Sequence, residues 1–303
     1  IRQKRTRLFP QSGIRTGLKE LGMKFEDLDS VAIGWNPTIN LETFNSSQAN
    51  NLRFLGELFT SVPLNLMKLQ NRSSGSHSSQ YLSLDNGKEI KIHYVNHHLC
   101  HASCFYLSSF DEASILTVDA FGEKQCCTFS HGKDREVTQI WSQEFPHSLG
   151  AFYSTMTEYL GFRAQSDEWK LMGASSYGNP AKFLPKLRQS FNLLENGEFE
   201  LNLRYFNFYQ FHRPKRFTSK LTDLLGIEPL SSGMQLLEEH YDLASASQLV
   251  FEEIYSHLIS HLKTKTNGKN LILSGGSALN SVANGKVLKN SGFTNLFIPP
   301  MPD

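Results

Sequence analysis

Charge of one sign is what this sequence lacks. Thirty Lys and Arg stand against 29 Asp and Glu, a formal net charge of +1 over 303 residues. No global field therefore draws the chain to nucleic acid or to an anionic membrane, and neither is expected as a partner. No apolar run is long enough to span a bilayer, and the first residues lack a signal-peptide layout. Cysteine is scarce: Cys100, Cys104, Cys126 and Cys127 cluster in the middle without a C-x-x-C pair. That excludes a disulfide framework and suits a reducing cytoplasm, the expected location. The P-loop, the G-x-G-x-x-G dinucleotide fingerprint and the G-x-S-x-G hydrolase elbow are all missing. Charge blocks and repeats of solenoid period are missing too. What remains, with 39% hydrophobic and 19% charged residues, is an ordinary globular composition. The length allows two lobes.

Histidine is unevenly spread. Of eleven, His93, His97, His98 and His101 are bunched together. Ile92-His93-Tyr94-Val95 reads as a strand and Asn96 as the N-cap of a helix. His97 and His101, four apart, then project from one helix face and can reach one transition metal. Asp119 ends a second apolar run, Ala113 to Val118, where its carboxylate is exposed at a strand's carboxyl end. Two histidines and a carboxylate make an open metal site. In the competing reading one histidine caps the helix and another packs in the core.

Elsewhere the elements alternate. Ile14, Leu18, Leu21 and Met23 fit a short amphipathic helix, and Val31–Trp35 a buried strand. Residues 40–69 show helical spacing interrupted by Pro63, and 71–79 read as a Ser- and Asn-rich loop. Ser114–Asp119, Gln125–Ser130 and Val137–Glu144 are three consecutive strands. Helices follow at Ser148–Leu160 and Tyr241–Leu262, the second with an apolar stripe suited to core packing. Asn270–Ser274 is a buried strand that runs through Gly275-Gly276 into a helix from Ala278 to about Leu288, and Phe297-Ile298 is the last strand. The class is α/β or α+β with at least one mixed sheet.

Several short motifs carry chemistry, each with a plainer explanation beside it. In Leu273-Ser274-Gly275-Gly276-Ser277-Ala278-Leu279-Asn280, paired glycines before a helix start let backbone N–H groups approach an anion, or simply serve turn geometry. Asp119-Ala120-Phe121-Gly122-Glu123 offers two carboxylates around a turn, or solvated surface acids. In Phe145-Pro146-His147-Ser148-Leu149-Gly150, Ser148 caps a helix and His147 is a candidate general acid or base. A capping turn accounts for the same residues. Lys170, after two acids and before Gly173, is a phosphate candidate or a solvated lysine.

Taken in order, these motifs closely resemble the NodU/CmcH family of O-carbamoyltransferases. The run from Asn96-His97-His98-Leu99-Cys100-His101-Ala102 to Gly275-Gly276-Ser277-Ala278-Leu279-Asn280 carries the resemblance. Tyr159-Leu160-Gly161-Phe162, Lys170-Leu171-Met172-Gly173 with Tyr177-Gly178, and Asp242-Leu243-Ala244-Ser245-Ala246-Ser247-Gln248 lie between. The resemblance implies two ribonuclease-H-like lobes of the actin/Hsp70-like ATPase superfamily, in the branch with TsaD and the transferase part of HypF. Residues 1–112 would form the first lobe, with its N-terminal strands missing, and 113–303 the second, with its last helix missing. A YrdC-like C-terminal domain of the full-length protein would make carbamoyl adenylate from carbamoyl phosphate and ATP, with Mg2+ at that step. The lobes would pass the carbamoyl group to a hydroxyl of a small natural-product or sugar-like acceptor.

By the same similarity His97, His101 and Asp119 would bind Fe(II) or another divalent transition metal, with Asp303 or the residue after it as a further ligand. Gly122, Glu123, Lys170, Gly173, Gly275, Gly276 and Asn280 would face the nucleotide. Ala120 stands where the family has Gly, so its methyl would oppose a positive-φ turn. Ser175-Ser176 replaces the family's Ala-Pro. The alternatives to carry forward are a TsaD-like tRNA threonylcarbamoyl transferase and a degenerate nucleotide-binding homologue without activity.

Overall fold

The apolar run before Asp119 becomes β4 (Glu112–Val118), buried at every residue after the first. Such a run needs cover on both faces. It lies at the centre of a five-stranded mixed sheet in a computed structural model that describes residues 11–36, 77–210 and 214–303. Strands β5 (Gln125–Lys133) and β6 (Glu136–Glu144) continue antiparallel on one side. On the other, β9 (Asn270–Ser274) and β10 (Asn295–Phe297) run parallel, giving the order β10-β9-β4-β5-β6. A second sheet, ordered β1-β3-β2, joins Ser30–Ile33 (β1), His77–Ser83 (β2) and Glu89–Val95 (β3). A small hairpin pairs β7 (Phe191–Leu193) with β8 (Phe199–Leu201).

The helices in chain order are α1 (Gln11–Glu20), α2 (His97–Ala102), α3 (Leu149–Tyr159), α4 (Glu168–Ala174), α5 (Leu184–Leu187), α6 (Ser219–Leu225), α7 (Glu238–Thr266) and α8 (Ser281–Ser291). The 29-residue α7 is the spine. Its stripe of Leu243, Ala246, Val250, Ile254, Leu258 and Leu262 is fully buried, and it packs against α3, α4, α8 and β4. At roughly 1.5–3 kcal/mol for each large apolar side chain removed from water, this stripe is a main source of core stability.

Three expectations change. Val31–Trp35 was expected as a buried strand, but three of the four β1 residues are exposed. Helix α1 forms where the amphipathic pattern placed it, and none of its residues is buried. Residues 77–79, expected in a loop, belong to β2, where Ser79 pairs with His93. The helix expected from Ala278 begins at Ser281 instead: Gly276–Leu279 forms a tight 3-10 turn, and the Asn280 side chain caps α8 by accepting from the Ala283 N–H at 3.0 Å. The helical spacing at 40–69 and the residues 71–76 lie outside the described residues.

Candidate metal centre and cavity

Helix α2 and the end of β4 are brought together by a buried histidine between the two candidate ligands. His98 is 0% exposed; its Nε2 donates to the Gln125 carbonyl at 3.0 Å. Its Nδ1 accepts from the Thr117 hydroxyl at 2.7 Å, which in turn accepts from the Thr128 hydroxyl at 2.7 Å. Burial, with the neighbouring His97, pushes its pKa down to about 4. His98 is thus the structural histidine that residues alone left unassigned. Gly122 lies against it, where a Cβ would come within 2.9 Å of the His98 ring.

With α2 so anchored, His97 and His101 face Asp119. Asp119 Oδ2 lies 3.0 Å from His97 Nε2 and 3.1 Å from His101 Nε2, and the two Nε2 atoms are 3.1 Å apart. The other carboxylate oxygen accepts from the Ala120 N–H at 2.7 Å. His97 Nδ1 donates to the Gly34 carbonyl at 3.2 Å, which turns Nε2 toward the carboxylate. Three electron-rich atoms this close need a cation among them, a proton or a metal. The electrostatics agree. Burial lowers the His97 pKa, but the hydrogen bond and charge of Asp119 outweigh it and the net shift is upward. Burial raises the Asp119 pKa, yet His101 and His97 hold it well below the carboxylate range. The donor set of two imidazoles and one carboxylate fits a divalent transition metal.

The triad opens on a cavity of about 450 Å³, within the usual size of a small-molecule site. Gly276 stands at its metal end, where a Cβ would lie 3.2 Å from both Asp119 Oδ1 and Asp303 Oδ1. Asp303 lines the cavity, and its pKa is raised by burial and by the nearby Asp119. Gly150 brings the start of α3 onto the Asp119 backbone; a Cβ there would sit 2.6 Å from the Ala120 nitrogen. Ser148, the α3 cap, ties the same loop by donating to the Ala120 carbonyl at 2.6 Å. Ala120 is not among the residues with positive φ, so its methyl is unstrained here.

Several candidates lie away from the cavity. Glu123 is buried, and its Oε1 accepts from the His97 and Asn36 N–H groups at 3.0 and 2.6 Å, so it holds backbone. Gly275 adopts φ 89°, and a Cβ there would meet the Val118 carbonyl oxygen at 2.4 Å; it serves the turn, and Gly276 lines the cavity. Lys170 pairs with Asp167 at 3.1 Å, and Gly173 is exposed. On α4 the cavity-lining residues are Glu168, Trp169 and Met172, the opposite face of the same helix. His147 does not line the cavity either: its Nδ1 accepts from the Leu201 N–H at 3.0 Å beside the β7–β8 hairpin. Asn280 does line it. Glu168, Trp169 and Tyr153 line it too, unflagged in the sequence; the i, i+1, i+4 spacing of 168, 169 and 172 was the signal for the first two.

The family model of the carbamoyltransferase N-terminus matches residues 1–303. The chain belongs to this carbamoyltransferase family. Among its relatives, the uncharacterized protein sll1178 of Synechocystis is 32% identical over 99% of the chain and 49% of its own length. Nodulation protein NolNO of Sinorhizobium fredii is 30% identical over 99% of the chain and 40% of its length. Nodulation protein NolO of Bradyrhizobium diazoefficiens is 30% identical over 68% of the chain and 35% of its length. The chain thus spans about half the length of these relatives, or less. Among solved structures, Bacillus thuringiensis ParM with ATP aligns at a TM-score of 0.36 and 12% identity, covering 96% of the chain and 67% of ParM. No helix among the described residues is long and apolar enough to cross a membrane.

Proposed function

We propose that the protein is an ATP-dependent O-carbamoyltransferase. It would take its carbamoyl group from carbamoyl phosphate by way of carbamoyl adenylate, made with Mg2+ and ATP in a YrdC-like domain of the full-length chain. The acceptor would be a hydroxyl of a small natural-product or sugar-like metabolite. The observation that carries this reading is the His97–His101–Asp119 triad opening directly on the cavity that Gly276 and Asn280 line. The order β6-β5-β4-β9-β10, three antiparallel strands and then two parallel ones, supports a ribonuclease-H-like second lobe.

His97, His101 and Asp119 would hold Fe(II) or another divalent transition metal, with Asp303 as a further carboxylate across Gly276. Such an ion, when bound, supplies Lewis-acid polarisation of a phosphate or carbonyl oxygen. Gly34 orients His97 through Nδ1, and His98 fixes the helix that carries both imidazoles. Ser148 and Gly150 fix the loop that carries Asp119. The cavity wall of Phe121, Tyr153 and Phe251 limits water around the transferred group. His147, bonded to backbone outside the cavity, is set aside as a base.

The test is metal analysis of the anaerobically purified full-length protein beside a His97→Ala/His101→Ala variant. It is followed by assay of acceptor-dependent AMP release with carbamoyl phosphate and ATP. Near-stoichiometric metal, lost with activity in the variant, is expected. Metal-free wild type, or a variant that keeps full activity, would overturn the reading.

A further inference from the structure

Glu123 is 5% exposed and does not line the cavity. Its charge is held by backbone. Oε1 accepts from the Asn36 N–H at 2.6 Å, and both oxygens accept from the His97 N–H, at 3.0 and 3.2 Å. His97 opens α2, where the first N–H groups have no partner inside the helix. One buried carboxylate therefore ties a candidate metal ligand to a residue far earlier in the chain.

Asn36 does not come alone. It follows β1, and the two residues before it reach the same helix. The Gly34 carbonyl can only accept, so the His97 proton it takes at 3.2 Å sits on Nδ1, and the Nε2 lone pair is left for an ion. Gly34 comes so near α2 that a Cβ on it would lie 3.3 Å from Cys100 Sγ. The Trp35 ring packs against His97 at 5.7 Å and edge-on to Phe121 at 6.3 Å between centroids. Residues 34–36 thus touch the ring and the backbone of one ligand and the loop that carries another.

These contacts stand or fall together. If 34–36 lifts away, Glu123 loses the Asn36 N–H, its shortest bond, and a buried charge left short of donors is costly. His97 loses at the same moment the acceptor that fixes its tautomer and ring plane. Strand β1 is a weak anchor for the segment: it pairs four residues with β3, and three of the four are exposed. Local opening there needs little free energy compared with opening of the core.

We infer that Glu123 is a positioning residue that couples the metal centre to the docking of residues 34–36: the ion binds tightly only while this segment is in place, and its binding holds the segment there. The inference rests on the metal reading of the proposed function. Reciprocity follows from linkage, since whatever favours the docked segment favours the ion by the same factor.

The experiment titrates metal-stripped full-length protein with Co2+, read by its visible absorption bands. Backbone hydrogen exchange is then followed with and without a hundredfold excess of Co2+ over Kd. In wild type the ion should slow exchange at residues 30–36 about 10-fold or more, and far less at the distant β7–β8 hairpin. Glu123→Ala should bind Co2+ about 10- to 100-fold more weakly and lose that protection. Glu123→Gln, which keeps one acceptor oxygen for the two N–H groups, should fall between the two. Wild type that binds Co2+ with no change at 30–36, or with equal slowing in the hairpin, overturns the inference and leaves the metal reading standing, with no variant needed. A Glu123→Ala protein that binds Co2+ as wild type does also overturns it. Wild type that binds no Co2+ overturns the metal reading and the inference with it.

Discussion

Gln248 and Asn280 exchange two side-chain hydrogen bonds, each 3.0 Å long, between the middle of α7 and the cap of α8. Both residues are buried, and the outer bonds to Glu252 and Ala283 fix which way each amide faces. Replacing one atom of this exchange tests it. In Gln248→Glu a carboxylate oxygen replaces Nε2 and faces both Glu252 and Asn280 Oδ1. Urea unfolding at pH 7 should show a loss of about 2–4 kcal/mol, the size seen when a buried polar network gains an unpaired charge. A second substitution, Glu252→Gln, should restore part of it; equal losses in the single and double variants would mean the exchange is not coupled as drawn.

Divalent metal should stabilise the protein through the triad. Three donor atoms within 3.1 Å of one another are assembled only in the folded state and have no counterpart in the unfolded chain. Adding Fe(II), Zn2+ or Mn2+ in excess to metal-stripped protein should raise Tm by several degrees, the effect of about 3 kcal/mol at a hundredfold excess over Kd. His101→Ala and Asp119→Asn should each abolish the rise. A rise that survives in either variant would place the ion elsewhere.

Much of this site was legible because it rests on local rules. The continuous apolar run of β4 set Asp119 at a strand end, Asn96 capped α2 as its side chain predicts, and the spacing of four put His97 and His101 together. What stayed hidden depends on elements far apart in the chain. Spacing alone could not show that His98 bonds to β4 and β5, nor that α4 turns Glu168 and Trp169 inward and Lys170 away. Glu123 looked like a site acid because its two backbone partners, at residues 36 and 97, become neighbours only on folding. Ala120 looked disruptive because it stands where the family it resembles has Gly; its φ is not positive, and the close approach falls instead on Gly150.

That last point separates two substitutions of equal chemical size. Gly150→Ala would place a methyl 2.6 Å from the Ala120 nitrogen and 2.7 Å from the Asp119 carbonyl carbon, backbone atoms that cannot rotate aside. Stability should fall by about 1–3 kcal/mol as α3 and the Asp119 loop separate. Metal affinity should fall about 10- to 100-fold because the carboxylate shifts. Ala120→Gly, in contrast, relieves no strain and should not raise stability. Thermal melts and metal titrations of the two variants check both, and a Gly150→Ala protein that binds metal like wild type would contradict the packing argument.

His147 ties the α3 turn to the β7–β8 hairpin, and the tie should depend on pH. Burial lowers its pKa below the ordinary histidine value, although the nearby Glu200 pulls the other way. The folded state holds Nδ1 bare, as the acceptor of the Leu201 N–H at 3.0 Å, so protonation there would break the bond. The sign follows from linkage. With a folded pKa below the unfolded value of about 6.5, the unfolded chain binds more protons in the interval between them. The contribution is therefore complete above about pH 6.5 and is lost as pH falls through the interval toward the folded pKa. His147→Asn keeps an acceptor near the Nδ1 position and cannot titrate. Urea unfolding of both proteins between pH 7.5 and 5 should show the wild type losing stability faster on acidification, by a slope of up to about one proton. Parallel curves would mean that the Leu201 bond does not control this histidine, since every other histidine titrates alike in the two proteins.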